Sequence, residues 1–225
     1  ADFVDIREDA VAFAIGNKGY ITTGLLGAYY QRQLYEYDPL TNAWTQKADN
    51  LDIYKARGTA FTIGTKAYVG TGLTARATLK KDLWEYNSVT NLWTQKADFG
   101  GSSRQYSTGF SIGNKGYISC GADSTGYKKD VWEYDPQTNI WTQKADFGGD
   151  ARAYAISFTI GTKAYVGTGA GSSKTFNDIW EYNPATNTWT QKAELPSKMA
   201  RVTGFAINDK GYILHGKTLW QYIPY

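Results

Sequence analysis

One heptapeptide recurs four times in this chain and constrains its fold more than any other feature. The sequence Asn-x-Trp-Thr-Gln-Lys-Ala stands at Asn42–Ala48, Asn91–Ala97, Asn139–Ala145 and Asn187–Ala193. Its tryptophans, Trp44, Trp93, Trp141 and Trp189, lie 49, 48 and 48 residues apart. A second motif, Gly-(Asn/Thr)-Lys-(Gly/Ala)-Tyr, ends at Tyr20, Tyr68, Tyr117 and Tyr165, and a degenerate fifth copy runs Asn208–Tyr212. A period of this size marks stacked supersecondary units, none of which can bury its apolar face alone. The near-identical stretches Trp93–Gly101 and Trp141–Gly149 point to recent duplication, natural or deliberate.

Within a unit the periodicity is that of strands. Thr59-Ala60-Phe61-Thr62-Ile63 alternates small and large residues, Gly64-Thr65-Lys66-Ala67 forms a tight turn, and Tyr68–Gly72 is a second strand. After a loop of roughly ten residues, long for a simple hairpin, Leu83–Tyr86 makes a third strand and Leu92–Lys96 a fourth. The composition agrees: 18 Tyr, 8 Trp and 24 Gly against only 5 Pro suit strands and tight turns. Four antiparallel strands per unit make one propeller blade.

The stretch Tyr-Asp-Pro-x-Thr-Asn-x-Trp at Tyr37–Trp44 and Tyr134–Trp141 resembles the kelch repeat family. Tyr182–Trp189 carries Asn183 in place of the Asp, and Tyr86–Trp93 carries Asn87 and Ser88. Of the family's glycine pair after the second strand, only the second is kept, at Gly24, Gly72, Gly121, Gly169 and Gly216. The resemblance implies an all-β protein, a β-propeller of four-stranded antiparallel kelch-like blades. We expect a single domain over 1–225, with blades at about 7–49, 50–98, 99–146, 147–194, and 195–225 plus 1–6. The last unit stops after its third strand, so the expected closure is by Phe3–Ile6 pairing outside Trp220–Tyr222. Kelch propellers more often have six or seven blades, so an open arc of a larger ring is the alternative. Five closed blades imply a monomer; an open ring implies an oligomer or a domain swap. The first strands bring Phe13 and Ile15, Phe61 and Ile63, Phe110 and Ile112, Phe158 and Ile160, and Phe205 and Ile207 to the core. The eight Trp are expected to fill the wedge between blades.

Function is less legible. With 24 basic and 21 acidic residues, no concentrated basic footprint for nucleic acid exists. One Cys, Cys120, and one His, His215, allow neither a disulfide nor a cysteine metal cluster. No cofactor or metal site is expected. No apolar run reaches the about 20 residues of a membrane span, and no leader or initiator Met opens the chain. In a four-stranded meander the links between strands two and three, and from strand four to the next blade, share one end. That long-loop end is where binding is expected.

An Arg precedes each first strand: Arg7, Arg57, Arg104, Arg152 and Arg201. By pseudo-symmetry the five form a ring of bidentate donors suited to carboxylate or another anion. Tyr30, Tyr106, Tyr127, Tyr154 and Phe176 lie nearby, with Tyr29 and Tyr54, and suit peptide or sugar stacking. The competing reading pairs each Arg with carboxylates or backbone carbonyls of the adjacent blade, with the recurring Glu36, Glu85, Glu133 and Glu181 as possible partners; this structural reading is preferred. Lys80-Lys81 and Lys128-Lys129 are candidates for a basic rim, or simply solvated.

Copper-radical oxidases of the galactose oxidase type share kelch-like propellers but need histidine ligands and a Cys–Tyr cross-link that this chain cannot supply. The expected function is a non-catalytic module holding a protein, peptide or glycan on the long-loop face. The alternatives are a sugar-acid mutarotase or epimerase acting through the Arg ring, and a purely structural scaffold. Likeness to kelch arrays of bacterial secreted or surface proteins points to the cell exterior.

Overall fold

The computed structural model describes residues 1–50 and 54–224, so Leu51–Ile53 of the second copy and Tyr225, the end of the fifth, lie outside the described residues. The chain divides into two compact units, Ala1–Gln105 and Tyr106–Tyr225. Every main element is an antiparallel strand, and no helix occurs among the described residues. The chain is an all-β propeller fold of five successive blade sheets.

The first unit holds two sheets. Val11–Ile15, Lys18–Thr22, Leu34–Asp38 and Ala43–Gln46 form the first, and Thr59–Ile63, Lys66–Gly70, Leu83–Asn87 and Leu92–Lys96 the second. The second unit holds three. Thr108–Ile112, Lys115–Ser119, Val131–Asp135 and Ile140–Lys144 are followed by Ile156–Ile160, Lys163–Gly167, Ile179–Asn183 and Thr188–Gln191. The fifth sheet has three strands, Thr203–Ile207, Lys210–His215 and Thr218–Tyr222. Each first hairpin turns through a residue of positive φ, namely Gly16, Gly64, Gly113, Gly161 and, in the fifth copy, Asn208. Such turns match the twist of the flanking strands.

Sheets pack large against small, as the alternating first strands lead one to expect. In the second unit Phe110 and Ile112 of the third sheet meet Ala164, Val166 and Tyr182 of the fourth. In the first unit Ile15 and Tyr20 meet Ala67 and Tyr86. The Trp contribute to the packing between blades, with Trp180 and Trp189 against the cluster shared by the third and fourth sheets and Trp93 against that of the first and second, but they are not its most buried part. All eight are half-buried, and the fully buried aromatic volume belongs to Tyr68, Tyr86, Tyr117, Tyr134 and Tyr182 with Phe99 and Phe147.

Four of the eight Trp belong to the heptapeptide, whose repetition now has a physical reason. Asn187 sits in the left-handed region at φ 54°. Its Oδ1 accepts the Tyr182 hydroxyl at 2.9 Å and the backbone N–H of Ala145, from the preceding blade, at 2.9 Å. The Trp189 indole donates to the carbonyl of the same Ala145 at 3.2 Å. In the first unit Asn91 and Trp93 hold Ala48 in the same way, at 3.0 and 2.8 Å. The Asn and Trp of one copy thus clasp the Ala that ends the copy before.

The N-terminal segment departs from expectation. Residues 1–6 form no strand, so the expected N-terminal strand is not formed; in the fifth sheet Thr218–Tyr222 pairs with Lys210–His215. Phe3 packs edge-on against Tyr35 and Trp44, with centroids 5.5 and 4.7 Å away. The Ala1 ammonium donates to Asn42 Oδ1, taking the place that the Ala48 N–H holds on Asn91. Ala1-Asp2-Phe3 therefore repeats Ala97-Asp98-Phe99 and Ala145-Asp146-Phe147. The motif reaches back to the first residue.

Candidate functional site

The links into the blades sort the candidate arginines into two columns. One column is Arg7, Lys55, Arg104, Arg152 and Met199. In all but the first, the residue's carbonyl accepts the N–H of the preceding blade's glycine: Gly24 to Lys55, Gly72 to Arg104, Gly121 to Arg152 and Gly169 to Met199, at 2.7–2.9 Å. Glycine is required there, because a Cβ on Gly72 or Gly169 would lie 2.6 Å from the Ala56 or Ala153 carbonyl oxygen. Two residues further on runs the second column, Asp9, Arg57, Tyr106, Tyr154 and Arg201, all with φ between 51° and 63°. The expected ring of five equivalent Arg is corrected accordingly: Arg7, Arg104 and Arg152 belong to the first column, Arg57 and Arg201 to the second. The offset was visible in the sequence, since three of these Arg precede the strand's Phe by six residues and two by four.

The first column is structural. Arg152, 0% exposed, is bidentate to Asp178, its Nη2 lying 2.9 Å from Oδ2. It also donates to the carbonyls of Thr168 at 3.0 Å and Asp150 at 2.9 Å, between the rings of Phe147 and Phe176. Burial would raise the Asp178 carboxyl, but hydrogen bonds from Arg152 and Trp180 outweigh it and hold the group below its usual range. Arg7, with a side chain 2% exposed, is bidentate to Asp5 and donates to the carbonyls of Thr23 and Gln33. Arg104 is buried over the Phe99 ring and donates to the Ser102 carbonyl and hydroxyl. Lys55 replaces Arg in the second copy; burial lowers its ammonium pKa against the opposing pull of Asp82, 3.0 Å away.

The expected Arg–Glu pairing is also corrected. Glu36, Glu85, Glu133 and Glu181 turn to the second-strand tyrosines, accepting the hydroxyls of Tyr20, Tyr68, Tyr117 and Tyr165. Lysines from the neighbouring strands complete the cluster, as Lys163 and Lys192 do around Glu181. Burial would raise Glu36, Glu85 and Glu181, but hydrogen bonds from lysine and tyrosine hold them low. The recurring Lys-x-Tyr, Trp-Glu-Tyr and Gln-Lys are thus one structural network.

The second column is outward and polar. In the second unit the Tyr106 and Tyr154 rings lie 4.0 Å apart, and the exposed Arg201 guanidinium stacks 4.6 Å from the Tyr154 ring while donating to its hydroxyl at 3.2 Å. Three of the expected ligand-binding residues are therefore one contiguous group. In the first unit Arg57 pairs with Asp9 at 2.9 Å and donates to Gln105. The remaining candidates are apart from these groups. Tyr30 and Tyr127 lie in small loop hairpins, Leu25–Leu26 with Tyr29–Tyr30 and Ala122–Asp123 with Gly126–Tyr127. Phe176 is buried under Arg152.

A cleft of about 550 Å³ opens at the loop end of the fourth sheet, lined in part by Lys129 and Phe176, two of the candidates from the sequence, together with residues the sequence did not connect to them. Trp180, Asn177 and Glu194 line it with Lys129, Lys174 and Lys198. Its floor needs Gly148, where a Cβ would meet the Trp180 ring at 2.4 Å. The lysines come from three different links, so no local pattern announces it. The fifth sheet has no long loop at all: His215, exposed, leads through Gly216 and Lys217 directly into Thr218. Cys120 is buried beside Ser119, and no His, Cys, Asp and Glu group of metal-binding type occurs among the described residues.

Comparison with known proteins places this geometry. Residues 12–216 match the KLHDC2/KLHL20/DRC7 Kelch-repeats domain. The solved structure of YjhT superposes with a TM-score of 0.77 at 18% identity, covering 92% of this chain and 72% of that one, a likeness of fold. No curated protein matches the chain in sequence.

Proposed function

The chain belongs to the KLHDC2/KLHL20/DRC7 Kelch-repeats domain family, and from that premise we propose that it is a non-catalytic interaction module whose loop end in the second unit holds a peptide segment of a partner protein. Kelch propellers commonly mediate protein interaction, but one fold hosts many functions, so the reading rests on the site. The observation that carries it is the stack of Tyr106, Tyr154 and exposed Arg201. Rigid aromatic faces ending in a guanidinium suit a peptide carboxylate: the rings contribute contact area at low entropic cost and the Arg adds directional donors. The cleft at the fourth sheet, where Lys129, Lys174 and Lys198 are matched by Asp150, Asp178 and Glu194, adds no charge preference of its own, so the preference for an acidic segment rests on Arg201.

Sugar-acid chemistry on an Arg ring draws no comparable support. Arg7 and Arg152 direct their donors to carboxylates and carbonyls of their own unit.

The test is selection from a displayed peptide library, run beside a glycan array, with the folded chain. Acidic peptides are expected, and Arg201→Ala is expected to weaken their binding about tenfold or more while leaving the melting temperature unchanged. Selection of basic or neutral peptides only, or full affinity in Arg201→Ala, would sink the reading.

A further inference from the structure

The glutamine of the recurring heptapeptide takes no part in the clasp or in the Glu–Lys–Tyr cluster. In the fourth copy the Asn and Trp hold the preceding Ala, and the Lys joins Glu181. Gln191 is exposed, and its amide makes no hydrogen bond among the described residues. It stands directly across the ladder from Trp180. Cross-strand partners share a face of the sheet at roughly 5 Å, so the Gln191 amide flanks the Trp180 indole. Both line the cleft at the loop end of the fourth sheet.

The cleft is built around this pair. The Trp180 indole N–H donates to Asp178 at 2.8 Å, and the Phe147 ring packs against the indole edge-on at 6.0 Å, so the ring is held in one orientation. The Asn177 amide donates to the Leu195 carbonyl at 2.9 Å and to Glu194 at 3.1 Å, while its Oδ1 accepts from nothing among the described residues. Asn177 is particular to this sheet. Its carbonyl accepts the N–H of Leu195 as those of Lys81 and Lys129 accept the N–H of Phe99 and Phe147, so the second and third copies have lysine in its place. Phe176, the other aromatic of the lining, is covered by the Arg152 guanidinium 3.8 Å from its ring. What the cleft offers a ligand is one half-buried indole with donors and acceptors beside it and a lining without net charge.

We propose that this cleft binds an uncharged hexose unit of a glycan. A pyranose ring has a face of C–H groups and a rim of hydroxyls, each both donor and acceptor. The C–H face lies on Trp180, whose large apolar body supplies the contact area. The hydroxyls meet the Gln191 amide, Asn177 Oδ1 and the Glu194 carboxylate. A phosphate or carboxylate ligand would need surplus cations, and an apolar one would strip water from these polar groups without replacing it. The volume of about 550 Å³ suits a small ligand, whose pockets run from roughly 300 to 1,000 Å³. None of Tyr106, Tyr154 and Arg201 lines this cleft, so the peptide reading and this one can fail separately.

The experiment is saturation-transfer NMR from the folded chain to glucose, galactose, mannose, N-acetylglucosamine and their disaccharides, with glucuronic and sialic acids as the charged arms and calorimetry for affinity. At least one neutral sugar is expected to bind with a Kd of about 1 mM or tighter, with the strongest transfer to the C–H protons of one ring face. Gln191→Ala, at an exposed position, and Asn177→Ala are each expected to weaken it about fivefold or more. Trp180→Phe keeps an aromatic ring in the packing and is expected to weaken binding with the circular dichroism spectrum unchanged. Absence of binding to every neutral sugar overturns the proposal. So does binding confined to the acidic sugars, which would make the lysines rather than the indole the selecting groups. Undiminished binding by Gln191→Ala and Trp180→Phe would put the sugar elsewhere on the chain and overturn it as well.

Discussion

The fourth and fifth sheets share a strand register and nearly the same first hairpin, yet differ in how much of each is held. Phe158 in the fourth is 4% exposed and its counterpart Phe205 is 37% exposed. The fourth has four strands, a Glu–Lys–Tyr cluster around Glu181 and a complete clasp onto Ala145. Among the described residues the fifth has three strands, and an uncharged Gln221 stands where the fourth has Glu181. A blade's local sequence thus specifies its strands, while how deeply its apolar residues are buried depends on what packs against them.

The sharpest way to test that contrast is on the links into the two sheets. Arg152→Ala should destabilise the chain by about 3–5 kcal/mol in urea unfolding, because it leaves Asp178 buried without its partner. Arg201→Ala, on the link into the fifth, should change stability by less than about 0.5 kcal/mol. If both cost the same, the two columns are not distinct.

Core truncation comes next. Phe158→Ala should cost about 3 kcal/mol from the lost burial and the cavity left behind. Phe205→Ala should cost about 1 kcal/mol, as expected for a side chain that keeps more than a third of its surface in water.

The clasp itself is a smaller term. Asn187→Ala removes an acceptor from two donors and places alanine at a φ of 54°. We expect a loss of about 2 kcal/mol, with faster amide exchange at Ala145.

The smallest expected effects are pH-linked. The Glu181 carboxyl is held low in the folded chain, so its contribution is present above its unfolded value and is lost as pH falls through the folded one. Glu181→Gln should flatten the acid limb of stability, which Gln221 of the fifth sheet cannot contribute to. Burial pushes the Tyr182 and Tyr222 hydroxyls up to about 12. Their contribution is complete below pH 10 and is lost as pH rises through about 12. Replacing either by Phe should flatten the alkaline limb by a similar amount, since the two hydroxyls are raised equally.

Much of this was legible in the residues. The spacing of the Trp and of the second-strand Tyr located all five copies, and alternation within Thr59–Ile63 identified a strand that the structure contains residue for residue. The Arg set was half legible. Its members were found, but averaging a four-residue and a six-residue offset merged a buried column with an exposed one. The partners of the buried column, such as Asp178 for Arg152, lie 26 residues away and carry no local signal. Phe3–Ile6 has an alternating pattern but packs as a link, because Ala1-Asp2-Phe3 repeats the end of a copy rather than a strand. The cleft at the fourth sheet brings together side chains from three links; Lys129 and Phe176 were legible as loop candidates, but their convergence was not.

By itself the sequence determined the repeat, its period, the strands and the turn glycines, because these depend on φ preferences and on contacts a few residues apart. Tertiary structure alone decided which arginines are buried and what the Asn-x-Trp motif holds. Those outcomes depend on groups a whole copy apart meeting in space, and a donor's fate rests on whether an acceptor arrives there before water does.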